Sequence, residues 1–153
     1  MRWTFQLSLY ARMKADERMV LLYGDVGAGL WKAHHLDFRE RVLNVGICEQ
    51  ATVSMAAGMA MQGLRPIVYT ILPFLIERAF EQIKIDVAQQ NLPVGLVGHS
   101  NGDCGPTHRE LNAEALIGLM PNIAGYYPNH KNQIPAIVEH LDIERPWFLA
   151  LHE

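Results

Sequence analysis

Short apolar runs alternate with segments of helical periodicity along the whole chain, and this alternation constrains the fold more than any other feature. The runs are apolar throughout, which is typical of strands buried on both faces of a sheet. We predict strands over residues 18–23, 41–47, 66–71, 93–98, 123–127 and 147–151, separated by helices over residues 3–14, 51–61, 75–90, 113–120 and 133–141. This order predicts an α/β fold with a doubly wound, mostly parallel sheet and helices on both faces.

Composition narrows the class of protein. At 153 residues, half of them hydrophobic, the chain can bury the core of a single domain spanning residues 1–153. A net charge of -3 indicates neither nucleic acid nor an anionic membrane as a partner. The sequence has no apolar run of roughly 18 residues and no secretory leader. The two cysteines have no metal-site or redox-motif spacing, nor do the histidines form a metal motif, so we expect a reduced, cytoplasmic protein without its own metal.

Several polar or aromatic groups follow the predicted strands directly. Gly24 and Asp25 end the first strand, Glu49 follows the second, Phe74 follows the third, and a loop containing residues 105–108 follows the fourth. Ligands of doubly wound sheets bind beyond the carboxyl ends of the strands. We therefore expect these groups to meet at one rim of the sheet and to form the functional site.

Glu49 is the strongest candidate for a catalytic residue. It lies between an apolar strand and an Ala/Met-rich helix, where apolar neighbours would partly remove its carboxyl group from water. Such a carboxyl group is suited to holding or passing a proton. The alternative is an ordinary glutamate that complements the dipole at the start of a helix.

The order and spacing of short motifs resemble a known family. The stretch from residue 23 to about residue 128 resembles the pyrimidine-binding (central) domain of transketolases and related thiamine diphosphate enzymes. The residues that match are 24–25, 44–50, 56–60, 73–74, 78–83, 86–88, 105–108 and 121–123. The resemblance implies the same α/β fold and thiamine diphosphate as the cofactor.

The resemblance also implies roles at the pyrimidine ring of the cofactor. Glu49 matches the glutamate that hydrogen-bonds a ring nitrogen and assists the proton transfer that activates the cofactor. Phe74 matches the aromatic residue that stacks on the ring, whereas its alternative is a core residue at the start of a helix. Ile47 and Ile71 are expected to form apolar walls of the same pocket.

Other positions match less specifically. Asp25 matches an acidic position at the subunit interface near the cofactor, although a turn residue that satisfies local backbone donors is the alternative. Arg78 and Gln82 lie one helical turn apart and could both face the rim. We predict a cofactor-binding role for Arg78, and a solvated or interface position for Gln82.

The substrate side is expected around a histidine of the fourth loop. His108 matches a family histidine that faces the reacting carbonyl or sugar hydroxyls, and a histidine can transfer protons near neutral pH. His99 and Asp103 are further substrate candidates. The family acidic residue directly before the Gly-Pro-Thr-His motif is replaced by Cys104, and a second one is matched only loosely by Glu114. Both departures put a sugar-phosphate substrate in doubt.

The family motif for the diphosphate has no match in this sequence. Residues 24–27 lack the Gly-Asp-Gly pattern and its following asparagine, and no match to the C-terminal domain follows the last strand. We therefore expect a separate diphosphate-binding subunit that holds Mg²⁺ or Ca²⁺, a heterotetramer, and no activity of this chain alone. The predicted function is transfer of a two-carbon ketol or acyl unit. The alternatives are a component of a 2-oxo acid decarboxylase or dehydrogenase, a non-catalytic interaction subunit, or an isolated or degenerate domain.

Overall fold

A parallel β-sheet forms the centre of the molecule. The structure, a computed structural model, describes residues 1–100, 102, 104–109 and 111–152. The strands of this part of the chain are β1 (Met19–Tyr23), β2 (Val42–Asn44), β3 (Arg65–Ile71), β4 (Gly95–His99), β5 (Ala124–Tyr126) and β6 (Trp147–Leu151). Their order across the sheet is β2-β1-β3-β4-β6-β5, and every neighbouring pair is parallel. The predicted α/β fold is confirmed.

Helices connect the strands. They are α1 (Arg2–Ala15), α2 (Lys32–Asp37), α3 (Glu49–Met61), α4 (Phe80–Gln82), α5 (Ala113–Gly118) and α6 (Ile134–His140), with 3-10 turns at Arg39–Arg41, Pro106–His108 and Lys131–Gln133. Two π-helical turns, Phe74–Arg78 and Ile83–Ala88, flank α4, and we call residues 74–88 the π-rich segment. No helix of the described residues is long and apolar enough to cross a membrane.

The sheet has a hydrophobic core on each face. Along β1, Leu22 belongs to the core that packs under α3, the π-rich segment and α5, whereas its neighbour Leu21 belongs to the core under α1, α2 and α6. Both side chains are 0% exposed. Because successive strand residues point to opposite faces, a strand covered on both sides must be apolar at every position. This explains the unbroken apolar runs in the sequence.

Two predicted elements differ from the observed ones, and one observed helix was not predicted. The strand expected over residues 41–47 ends at Asn44, because the chain turns at Gly46, which has a φ of 76°. The expected α-helix over residues 75–90 is mostly π-helical. The short helix α2 was not predicted, because its six residues follow a glycine-containing turn and have no long apolar period.

The strand order creates a switch point between β1 and β3. The connection after β1 leads to β2 at one edge, whereas the connection after β3 leads to β4 on the other side. Neighbouring strands whose connections diverge leave a crevice at their carboxyl ends, and ligands of doubly wound sheets bind there. The topology therefore directs attention to the ends of β1 and β3.

Candidate active site

A small cavity opens at this switch point. It measures about 10 Å³, which is room for about one water molecule. It is lined by Gly24, Gly46, Cys48, Glu49, Thr52, Val68, Tyr69 and Thr70. Burial raises the pKa of Tyr69, so its hydroxyl stays protonated near neutral pH. Glu49 is the carboxylate of this lining.

An asparagine ties together the loops that follow β1 and β2. The side-chain oxygen of Asn44 accepts hydrogen bonds from the N–H groups of Asp25 and Gly46, both at 3.1 Å. Its amide nitrogen donates to Asp25 Oδ1 at 3.1 Å. Asp25 has a left-handed φ of 58°, a conformation that aspartate tolerates better than most residues. A Cβ at Gly24 would lie 2.8 Å from Gly46 O, so glycine permits this close approach of the two loops.

Glu49 is the first residue of α3, and its side chain is only 10% exposed. Arg78 Nη1 donates to Glu49 Oε1 at 3.2 Å. The position at the helix N-terminus also favours a negative charge. Both interpretations from the sequence therefore describe part of its setting: Glu49 complements the helix dipole, and it is largely shielded from water beside the cavity.

Arg78 links this carboxylate to an aromatic ring. Its guanidinium carbon lies 3.5 Å from the ring centroid of Phe74, a close cation–π contact. The ring of Phe74 meets the ring of His108 at a centroid distance of 4.8 Å and an interplanar angle of 61°. Glu49, Arg78, Phe74 and His108 thus form one continuous series of contacts at the rim. These four residues, which we call the contact series, come from three separate parts of the chain.

His108 is held within a short turn. It ends the 3-10 turn Pro106–His108, and its N–H donates to Gly105 O at 3.0 Å. Gly105 has a φ of 108°, which side-chain-bearing residues rarely adopt. The hydroxyl of Thr107 lies 3.2 Å from His108 Nδ1. The motif Gly-Pro-Thr-His therefore builds a turn that presents the histidine to Phe74.

The remaining predicted site residues lie in different surroundings. His99 ends β4 with 0% exposure, and its ring stacks on Tyr69 at 5.2 Å. Ile71 is buried at the end of β3, whereas Ile47 is 72% exposed beside Glu49. Asp103 lies outside the described residues.

Sequence reasoning missed two residues of this region. Asn44 was seen only as part of a motif, although it connects the ends of two strands. Glu77 Oε1 accepts the N–H of Leu111 at 3.0 Å and so joins the π-rich segment to the chain that follows His108. A polar residue just after a buried strand was an available signal for Asn44. Nothing in the local sequence distinguishes Glu77 from an ordinary surface glutamate.

Comparison with protein families identifies the class. The model of the transketolase pyrimidine-binding domain matches residues 1–153. The class of protein is therefore that of domains of the transketolase type. Within that class, the chain belongs to the family of transketolase pyrimidine-binding domains, which confirms the resemblance seen in the sequence.

Curated relatives are much longer than this chain. An uncharacterized 33.6 kDa protein in the fasciation locus of Rhodococcoides fascians is 36% identical over 136 residues, covering 86% of this chain and 44% of that protein. The 1-deoxy-D-xylulose-5-phosphate synthase of Clostridium beijerinckii is 35% identical over 141 residues, covering 86% of this chain and 21% of the synthase. The chain therefore spans less than half the length of these relatives.

Solved structures share the fold. A split-gene transketolase, described as an inactive beta4 tetramer, superimposes with a TM-score of 0.87 at 27% identity, covering 97% of this chain and 50% of that one. A transketolase of Pichia stipitis in complex with sedoheptulose 7-phosphate gives a TM-score of 0.83 at 21% identity, covering 99% of this chain and 25% of that one. The second likeness concerns the fold alone.

The residues at the rim fit the pyrimidine half of thiamine diphosphate. An aminopyrimidine ring needs a flat apolar partner and a carboxyl group for a ring nitrogen, and Phe74 and Glu49 offer these chemical types within one series of contacts. A diphosphate with its metal ion needs oxygen ligands for the metal. Among the described residues, no group of three His, Cys, Asp or Glu side chains could hold a metal ion.

Proposed function

We propose that this chain is the pyrimidine-binding component of a thiamine diphosphate-dependent, transketolase-like transferase, and that it shares its active site with a separate diphosphate-binding subunit. The reaction is transfer of a two-carbon ketol or acyl unit. The observation that supports this most is the contact series of Glu49, Arg78, Phe74 and His108 at the switch point of the sheet. Membership of the transketolase pyrimidine-binding family supports the interpretation of these four residues as a cofactor and substrate site.

Each residue of the pyrimidine side has one task in this proposal. Thiamine diphosphate supplies the carbanion chemistry when it is bound, and the protein supplies orientation and proton transfer. Glu49 holds or moves a proton at the pyrimidine ring nitrogen, because a carboxyl group can both donate and accept a proton. Phe74 stacks on the pyrimidine ring. Arg78 contributes to cofactor binding by orienting the side chains of Glu49 and Phe74. Ile47 covers an edge of the ring.

The structure of the rim suggests supporting roles for two further residues. The hydrogen bonds between Asp25 and Asn44 hold the conformation of the loop after β1. We propose that this loop faces the interface with the partner subunit. Ile71 contributes to the site as a buried residue that supports the end of β3. Neither residue needs to exchange a proton.

His108 is the proton-transfer group for the substrate in this proposal. It is half-buried next to Phe74, and its ring has only one short polar neighbour among the described side chains, the hydroxyl of Thr107. Asp103, in the same loop, is proposed to contact substrate hydroxyls. His99 acts at most indirectly, because its ring is buried and stacks on Tyr69, which itself lines the cavity.

We propose that the diphosphate site is supplied by a second polypeptide. The partner is proposed to hold the diphosphate and Mg²⁺ or Ca²⁺, and two copies of each chain form a heterotetramer in the cytoplasm. The split-gene transketolase with a TM-score of 0.87 supports this, because it is a transketolase of a split gene whose beta4 tetramer is inactive. By the same reasoning this chain is proposed to be inactive alone.

Calorimetry tests the proposal directly. Thiamine diphosphate and Mg²⁺ are titrated into this chain alone, and then into its mixture with a transketolase-type diphosphate-binding subunit encoded by a neighbouring gene. We expect saturable binding in the mixture only, followed by turnover of ketose phosphates. Turnover of 2-oxo acids instead would favour a decarboxylase or dehydrogenase component. Failure of the mixture to bind would favour the non-catalytic interaction subunit.

A further inference from the structure

Hydrogen bonds hold both ends of the chain between β4 and α5. It is held at its start by the N–H of Ser100, which donates to Leu151 O at 3.0 Å. It is held at its end by Asn112, whose side chain caps α5 by accepting the N–H of Ala115 at 3.0 Å. Between these points Gly102 and Gly105 both have a positive φ, 64° and 108°. Glycines in this conformation leave the turn that contains His108 open to positioning by contacts from another segment.

The π-rich segment supplies such contacts. Phe74 meets the ring of His108, and Glu77, three residues later, accepts the N–H of Leu111 at 3.0 Å. Leu111 lies three residues beyond His108 and its side chain is 62% exposed, so its own packing cannot fix this part of the chain. A carboxylate that accepts a backbone N–H forms a charge-assisted bond, stronger than a neutral one. Glu77 is thus a polar anchor beside the aromatic contact.

The π-helical turn brings both contacts to the same side. Phe74, Glu77 and Arg78 belong to one π turn, and each of them contacts a different partner around the rim. We infer that Glu77 is a positioning residue that fixes His108 against Phe74 by binding the backbone of Leu111. The catalytic consequence of this inference rests on the proposed function, whereas the anchoring itself does not.

The anchoring is tested on the chain alone by NMR of the ring C–H signals of His108, assigned with His108→Gln. The ring current of Phe74 shifts these signals when the two rings are in contact. We expect Glu77→Ala to move them toward the values of a free histidine and to increase hydrogen exchange at the amide of Leu111. Glu77→Gln keeps an acceptor oxygen and should restore most of both effects.

Glu81→Ala is the matched control, because Glu81 is an exposed glutamate of the same segment and makes no hydrogen bond or ion pair with the described residues. It should leave the His108 signals unchanged. The inference is overturned if Glu77→Ala leaves the His108 signals and Leu111 exchange as in the wild type. It is also overturned if the Gln variant behaves like the Ala variant, since a lost acceptor then would not be the cause.

The assembled enzyme tests the catalytic consequence. Glu77→Ala should lower kcat/KM for the ketose donor by about tenfold, because a misplaced catalytic group loses much of its effect, while thiamine diphosphate affinity stays within about twofold. Equal losses in cofactor affinity and turnover would contradict a role limited to His108. If the wild-type mixture shows neither cofactor binding nor turnover, the proposed function fails, and the NMR result still decides whether Glu77 anchors His108.

Discussion

Arg78 contacts both residues assigned to the pyrimidine ring. Its guanidinium bonds Glu49 at 3.2 Å and lies 3.5 Å from the ring centroid of Phe74. An exposed cation–π contact stabilises by about 0.5–1 kcal/mol, and ion pairs of this exposure add a similar or smaller amount. These energies are small for the fold but large enough to bias the orientation of two side chains. The arginine therefore shapes the site more than it stabilises the protein.

Replacing Phe74 tests its assignment to the cofactor. Phe74→Ala should weaken thiamine diphosphate binding to the assembled enzyme by about tenfold, since an aromatic stacking contact contributes about 0.5–1.5 kcal/mol beyond the buried area. Phe74→Leu, which retains much of the apolar area, should recover part of the affinity. The measurement is calorimetric titration of both variants, and equal affinities for wild type and Phe74→Ala would contradict the stacking role.

His34 is a buried histidine that affects how the stability of the protein depends on pH. It is 0% exposed in α2, makes edge-on ring contacts with Tyr10, Trp31 and Phe38, and its Nδ1 lies 3.3 Å from Gln6 Nε2. Its Nε2 has no hydrogen-bond partner within the described chain. Burial, with a smaller contribution from nearby His35, lowers the pKa of His34 to about 4. The folded protein therefore holds this imidazole neutral.

The pH dependence of stability follows from that shift. The pKa of His34 is about 4 in the folded protein and about 6.5 in the unfolded chain, so the unfolded chain binds the proton first. The stabilisation is present above pH 6.5 and is lost as the pH falls toward 4, on the order of 3 kcal/mol in total. Urea unfolding between pH 4 and 7 should show this slope.

His34→Phe should remove most of that slope, whatever its effect on stability at pH 7. His140→Gln, which changes an exposed histidine at the end of α6, is the control and should retain it. An unchanged slope in His34→Phe would assign the acid sensitivity to other groups, such as the carboxylates Asp16 and Glu144 that arginines pair with.

At the scale of elements, strand β4 shows how tightly the sheet is packed. A Cβ at Gly95 would lie 2.3 Å from the ring of Trp147 on the neighbouring strand β6. A Cβ at Gly98 would lie 2.4 Å from the side chain of Leu72. Glycine is needed at both positions, because the side chains of Trp147 and Leu72 occupy the space that a Cβ would take. The absence of a side chain at each glycine lets these two residues pack directly against the backbone of β4.

Two alanine substitutions should have opposite effects for this reason. Gly95→Ala forces the ring of Trp147 to move and should destabilise the chain by about 1–3 kcal/mol. Gly58→Ala, at an exposed position of α3 with no atom within 4 Å of the new Cβ, should stabilise it by about 0.5–1 kcal/mol. Urea unfolding of both variants measures the difference, and equal effects would contradict the packing assigned to β4.

The positions of the buried strands could be predicted from the sequence, because the apolar pattern alone determines them. Strands β1, β3, β4 and β6 lie within a residue or two of the predicted ranges, because buried parallel strands must be apolar throughout. The π-rich segment was not predictable in this way. Its residues have ordinary helical composition, and whether the turns close with α or π hydrogen bonds depends on tertiary contacts.

The same distinction applies to the site. Glu49, Phe74 and His108 could be predicted because each lies in a motif directly after a strand or in its loop, and the structure brings all three to one rim. The contacts that join them depend on Arg78 and Glu77, whose partners are distant in sequence. Side-chain partners of that kind follow from the folded geometry and have no local signal.

At the scale of the whole molecule, our proposal makes the site one half of a cleft that a partner subunit completes. The rim at the switch point offers a carboxylate, an aromatic ring and a histidine, and none of the described residues forms a metal cluster beside them. The exposed side chain of Ile47, 72% accessible next to Glu49, is an apolar residue at the edge of that rim. Closure of the cleft by a diphosphate-binding subunit would cover it and lower the water content around Glu49.

The most direct test of this account is the rate of hydrogen–deuterium exchange at C2 of bound thiamine diphosphate, followed by NMR in the assembled enzyme. It needs no knowledge of the substrate, and it compares wild type with Glu49→Gln under conditions where both bind the cofactor. We predict an exchange rate lower by about 10²–10⁴-fold in Glu49→Gln, because the amide cannot pass a proton, with the fold unchanged. Equal exchange rates in the two proteins would contradict the central role assigned to Glu49.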